Sequence, residues 1–183
     1  MNLQKMFEMQ KALDERIIKE KGLEGQDLLP NLILALQVEL AECANEWRGF
    51  KHWSNDREPR ICVIDKKGQT AKEYYKNPLL EEYVDCLHFI LSIGNRIGYA
   101  HENLGKWTDF TIVNQFNHLF GYASDLYKAI HEDWFEEKLF DTYDEFFAGF
   151  IGLGKMFGLT HEQIEAAYME KNAVNHQWQQ EGY

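Results

Sequence analysis

Residues 32–47, LILALQVELAECANEW, decide the fold. At about 100° per residue, Leu32, Ile33, Leu36, Leu40, Cys43, Ala44 and Trp47 cover more than half of a helical circumference, and Glu39, Glu42 and Glu46 crowd into a stripe only about 60° wide. A solvated surface helix has the opposite proportions. The same pattern returns further along: Leu79, Leu80, Tyr83, Val84, Leu87, Ile90 and Leu91 are apolar, and Glu82 and Asp85 share a narrow polar strip continued by His88, Ser92 and Arg96. Both segments read as mostly buried helices whose acids face inward or into a cleft.

Working outward, a first helix runs from about Asn2 to Lys21, with Leu3, Met6, Leu13 and Ile17 as its apolar stripe and Gly22 as its stop. The second extends from about Asp27 to Trp47 and ends before Gly49. A charged loop containing Pro59 follows, in which Ile61 to Asp65 and the next Lys-Lys-Gly suit a short strand and turn. Asn77-Pro78 is a clean start for the third helix, which fades near Gly98. A fourth spans about Asp109 to His131; Thr142-x-x-Glu145 and Thr160-x-x-Gln163, both capping-box patterns, are expected to open the fifth and sixth. No repeat or linker divides the chain. The expectation is an all-α bundle of about six helices in one domain over residues 1–183, with room for a short β-hairpin insertion between helices 2 and 3.

Composition narrows the partners. The 183 residues are 45% hydrophobic and carry a net charge of −11. No Lys/Arg-rich run offers a footprint for nucleic acid. No stretch approaches the roughly 18 apolar residues of a membrane span, and there is no signal-like leader, so a soluble cytoplasmic protein is expected. Three cysteines without framework spacing fit reduced thiols. Cys43 and Cys86, each directly after the last acid of a pair, read as small buried residues beside a site.

The acids carry the chemistry. Glu39-x-x-Glu42 and Glu82-x-x-Asp85 each place two carboxylates side by side on one turn, the reach needed to hold a hard cation. Two unit charges 4 Å apart repel by roughly 4 kcal/mol at an effective dielectric near 20, so four converging acids call for a divalent ion. Asp85-x-x-His88 has the form of the acid-x-x-His element of di-iron bundles, but no second such element follows, and oxygen-only ligands suit Mg²⁺ or Mn²⁺. His88 is then either a hydrogen-bonding residue facing a substrate or a ligand.

Gln10 sits on the first helix's apolar stripe, with Asp14 one turn later on nearly the same face. A buried amide must be hydrogen-bonded, either to the protein or to the O4 and N3–H edge of a pyrimidine. The run EWRGFKHW brings Trp47, Phe50 and Trp53 near Lys51 and His52, as core or as a stacking wall. Lys171 and Asn175 share a helix face and suit phosphate oxygens.

ELAECANEWRGFKHW (39 to 53), EEYVDCLHFILS (81 to 92), KNAVNHQWQQEGY (171 to 183) and, less strongly, QKALD (10 to 14) together resemble the all-α dimeric dUTP diphosphatases, relatives of the MazG-type NTP pyrophosphohydrolases. The resemblance implies a homodimer that hydrolyses dUTP, and dUDP, to dUMP with Mg²⁺ (two or more ions per site, Mn²⁺ as a substitute). It implies Glu39, Glu42, Glu82 and Asp85 as metal ligands, Gln10 and Trp53 facing uracil and deoxyribose, and Lys171 and Asn175 on the phosphates. Lys51, His88 and Asp14 complete the expected substrate contacts, with Glu39 as proton acceptor and Glu46 as a second catalytic acid. The sequence departs from the family at Trp178, where an arginine is usual, and at Asp14, where an asparagine is common; its loop from Ser54 to Asn77 is also longer than in some relatives. A MazG-like enzyme of different base preference and a helical interaction protein with a structural metal site are the competing readings.

Overall fold

The computed structural model describes residues 1–68, 70, 74–99, 105–132 and 136–182. Tyr183, which closes the tail quoted above, and Gln69 and Ala71 to Glu73 of the long loop lie outside them. Six helices stand among the described residues: α1 (Leu3–Lys21), α2 (Leu29–Trp47), α3 (Pro78–Ile97), α4 (Ile112–His131), α5 (Glu136–Met156) and α6 (His161–Gln180). Between α2 and α3, β1 (Val63–Ile64) and β2 (Tyr75–Lys76) pair antiparallel, with Val63 opposite Lys76 and Ile64 opposite Tyr75. The all-α expectation holds, and the insertion is a hairpin smaller than the Ile61 to Asp65 strand anticipated.

Local chemistry sets most helix ends. The side chains of Asn2, Asn77 and Thr111 accept from Lys5 N, Leu80 N and Asn114 N, and Thr160 with Gln163 forms the full reciprocal box. Gly22 and Gly98 close α1 and α3 in the left-handed conformation. Arg48 closes α2 in the same way at φ 65°, the one non-glycine among the described residues with positive φ; its guanidinium is held by the carbonyl (2.8 Å) and carboxylate (2.8 Å) of Asp56.

Two expected starts are displaced. α4 begins at Ile112 rather than Asp109, because Asp109 turns its carboxylate to Asn114 and His118 and leaves the cap to Thr111. α5 begins at Glu136, ahead of Thr142. Inside that helix Thr142 Oγ1 donates back to Lys138 O at 2.8 Å, so the hydroxyl that resembled a cap satisfies itself within a longer helix.

α3 is the central element. It packs on α1, α2, α5 and α6, and residues on every side of it are buried, as expected of a helix enclosed by others. Tyrosines lace α3 to α5 from both directions: Tyr83 donates to Phe150 O (3.1 Å), and Tyr143 to Ile90 O (2.8 Å). The approach needs glycine on both partners. A Cβ at Gly94 would run into Tyr143 and Phe7, and one at Gly154 into Tyr83. With α3 fixed on that side, its Asp85-to-Arg96 strip is left facing α1 and α6.

Candidate functional site

The two acidic helices meet as their stripes require. Glu39 and Glu42 on α2 and Glu82 on α3 each bring a carboxylate oxygen within 4.8 Å of the others. Glu39 and Glu82 are half-buried and Glu42 is exposed. Loss of water, then the charges of Asp85 and Glu42, push Glu39 up to about 7 from an ordinary 4.5. Loss of water, then Asp85, Glu39 and Glu42, push Glu82 equally far. Burial also raises Asp85, against the ammonium of Lys171, whose Nζ lies 2.6 Å from Asp85 Oδ2. Half-buried carboxylates driven toward neutrality by one another fit a hard divalent cation, which removes that repulsion, and the donors are all oxygen.

Beside the acids opens a cleft of about 490 Å³, lined by Glu39 and Asp85, by Gln10, Asp14, His88 and Ser92, and by Lys171, Asn175 and Trp178. Asp85, His88, Ser92 and Arg96 follow one another along α3, so the cleft extends about 16 Å at 1.5 Å per residue. Its middle is a hydrogen-bond network centred on Gln10. The Gln10 amide donates to Asp14 Oδ1 (2.9 Å) and Ser92 Oγ (3.0 Å). Its carbonyl accepts from His88 Nδ1 (2.6 Å) and lies 3.1 Å from the Tyr168 hydroxyl, which is also 3.0 Å from Met6 O. Gln10 therefore has both hydrogens and one lone pair engaged by the protein, and shares the single Tyr168 hydrogen with Met6 O at the other.

Because Gln10 Oε1 can only accept, His88 carries its hydrogen on Nδ1. Burial pulls the imidazole down to about 3, so it is neutral, and its ring stacks on Tyr168 at 4.4 Å. Nε2 is buried and has no partner among the described residues. Burial pushes Asp14 up to about 6, opposed by the hydrogen bonds of Ser92 and Gln10 and by the charge of Arg96.

Not every expected residue joins this cleft. Trp53 is 68% exposed and lines a second, separate cavity of about 500 Å³ with Trp47, Phe50, His52, Phe116 and Phe120. Lys51 lies over the Phe50 ring at 5.5 Å. Glu46 stands one turn beyond Glu42, paired to Arg60 at 3.1 Å. Phe89, Ser92, Arg96 and Tyr168 were not among the expected site residues. For Ser92 and Arg96 the signal was present, since both continue the polar strip of α3; Tyr168 becomes visible only through its tertiary bond to Gln10. Cys43 and Cys86 are fully buried behind the acids, and all three cysteines are free thiols.

An all-helical bundle holding an oxygen-only acidic cluster at the side of a cleft defines a class of candidate metal-assisted hydrolases. Residues 2–183 match the family described as dUTPase, and the chain belongs to that family. Its activity is accordingly that of a dUTP diphosphatase, acting on the anhydride bonds of a nucleotide. No curated protein matches the chain. Among the described residues no helix is long and apolar enough to cross a membrane.

Proposed function

We propose that this chain folds as a single domain and works as a homodimeric, cytoplasmic dUTPase that uses Mg²⁺ to convert dUTP to dUMP and pyrophosphate, and dUDP to dUMP and phosphate. The observation that carries the reading is the meeting of Glu39, Glu42 and Glu82 within 4.8 Å, beside a cleft that also holds Lys171 and Asn175. Those three acids with Asp85 would hold the divalent ions, Mg²⁺ or Mn²⁺. Bound there, the ions neutralise the phosphate chain and acidify water. Glu39, the one acid of the three that also lines the cleft, is the acceptor for the attacking water's proton. Glu46, braced by Arg60, orients that water from the next turn.

Lys171 supplies charge and Asn175 an amide to phosphate oxygens. The base enters the middle of the cleft, where Gln10, Asp14 and His88 face it as one rigid unit. Burying hydrogen-bonding groups gives stronger discrimination than excluding a methyl, because a base with the wrong donor pattern leaves them unpaired. An exposed apolar strip on α2, Leu34 (62% exposed) and Val38 (47%), is the kind of surface a second copy covers, which supports the dimer.

The test is a panel of dUTP, dUDP, dCTP, dTTP and UTP with Mg²⁺, following nucleoside monophosphate and pyrophosphate. A steep preference for the deoxyuridine nucleotides is expected. Comparable turnover of several bases would favour the MazG-like alternative, and cation binding without any turnover an interaction protein.

A further inference from the structure

We infer that Lys171 is an internal counter-cation of the acidic cluster: its ammonium occupies Asp85 until a divalent ion takes that carboxylate, and displacement hands the freed ammonium to the substrate's phosphates. The inference rests on the metal and phosphate roles proposed above and adds an order and a coupling to them.

Four observations carry it. Asp85 is the acid of the four whose oxygens do not join the group lying within 4.8 Å, and it is the one bonded to Lys171, at 2.6 Å. Lys171 reaches it from α6, a different element from the two that carry the acids, so it can leave without moving α2 or α3. Its charge bears on Glu39 and Glu82 as well as on Asp85, in each case opposing the carboxylate repulsion. Nζ also lies 5.6 Å from the centre of the Trp178 ring, which adds a cation–π attraction to the docked position and lines the same cleft.

One ammonium against four carboxylates relieves the repulsion only in part. A divalent ion relieves more of it, and one that draws in Asp85 beside the other three acids does so at the carboxylate that Lys171 holds. The two cations therefore compete, and the protein binds divalent ions alone less tightly than its carboxylates would permit. A phosphate changes the balance by giving the displaced ammonium a new anionic partner. Metal and phosphate then favour each other's binding, and linkage makes that coupling reciprocal.

The experiment titrates the full chain with Mg²⁺ by calorimetry, with and without inorganic phosphate, for wild type, Lys171→Met and Trp178→Ala. Lys171→Met should bind Mg²⁺ alone about tenfold more tightly than wild type and lose the enhancement by phosphate. Trp178→Ala alters a side chain 39% exposed and so should leave the fold standing; it should tighten Mg²⁺ binding in the same direction by about two- to threefold. Unchanged or weaker binding of Mg²⁺ alone by both variants overturns the inference and leaves the metal site intact. A wild type that binds no divalent ion overturns the metal reading and the inference together.

Discussion

The two ends of one cleft are held by opposite means. At the acidic end Glu39, Glu42, Glu82 and Asp85 repel one another, and Lys171 opposes them from within the cleft. In the middle, Gln10 joins Asp14, Ser92, His88 and Tyr168, donating both amide hydrogens and accepting from His88. The first arrangement is unsettled without a ligand; the second is tied together without one and leaves only His88 Nε2 buried and unpartnered among its described residues. The difference separates tasks: unresolved charge gives affinity for ions and phosphates, and a hydrogen-bonded network fixes the pattern that a base meets. An Nε2 of defined tautomer is worth having only if the group that defines it does not move.

The sharpest way to break the comparison is to remove charge at one end. Glu42→Gln keeps the shape of the side chain but takes away an anionic oxygen. Disturbing residues behind metal ligands typically costs about 10- to 100-fold, so loss of a direct ligand should lower kcat/KM by at least about 100-fold. Stability of the metal-free protein should stay level or rise, since a repulsive partner is gone. Assays in saturating Mg²⁺ paired with urea unfolding decide it: a variant with wild-type activity would remove Glu42 from the site.

What could be read in advance divides along the same line. The acids were legible because a helix repeats: spacing i, i+3 on two mostly apolar segments fixes which side chains share a face. Caps at Asn77 and Thr160 were legible for the same local reason. Thr142 misled because a capping pattern says nothing about whether the residues before it are already helical. The network was not legible, since Gln10 finds Ser92 and Tyr168 82 and 158 residues away, and periodicity carries no record of such pairings. Proximity in sequence misled at Trp53, which follows the acidic helix closely yet lines the other cavity.

The converse substitution strikes the settled end. Gln10→Met nearly preserves volume but strands the His88 Nδ1 hydrogen and removes two donors that Asp14 and Ser92 use. Leaving a buried polar group unsatisfied costs about 1–3 kcal/mol, and Tyr168 retains Met6 O, so a total of about 2–4 kcal/mol is expected. Urea midpoints at constant slope would measure it. A loss below about 0.5 kcal/mol would mean that the network is not what holds this end together.

Changing pH with no substitution gives the smallest effect and separates the ends in a single protein. Glu39 and Glu82 keep their protons up to about 7 in the folded chain, against an ordinary 4.5, and Asp14 keeps its own up to about 6, against 3.8. Over those intervals the folded state binds more protons than the unfolded one. The share of stability that these three acids contribute to the metal-free protein is therefore fullest below about pH 4, falls as pH rises, and levels off above about pH 7, while His88, held down to about 3 against an ordinary 6.5, adds an opposite share that is lost as pH falls. The acidic share is reduced by solvent screening, because Glu39 and Glu82 are only half-buried. Mg²⁺ should restore that share at pH 7.5, raising Tm there more than at pH 5, where protons compete with the ion. It should leave the Asp14 share untouched, and Asp14→Asn should remove that share with or without Mg²⁺. Thermal melts across pH 4–8, with and without Mg²⁺, read both at once. If Mg²⁺ raised Tm equally at every pH, the protons would not be held where the ion binds, and the contrast between the two ends would fail at its charged half.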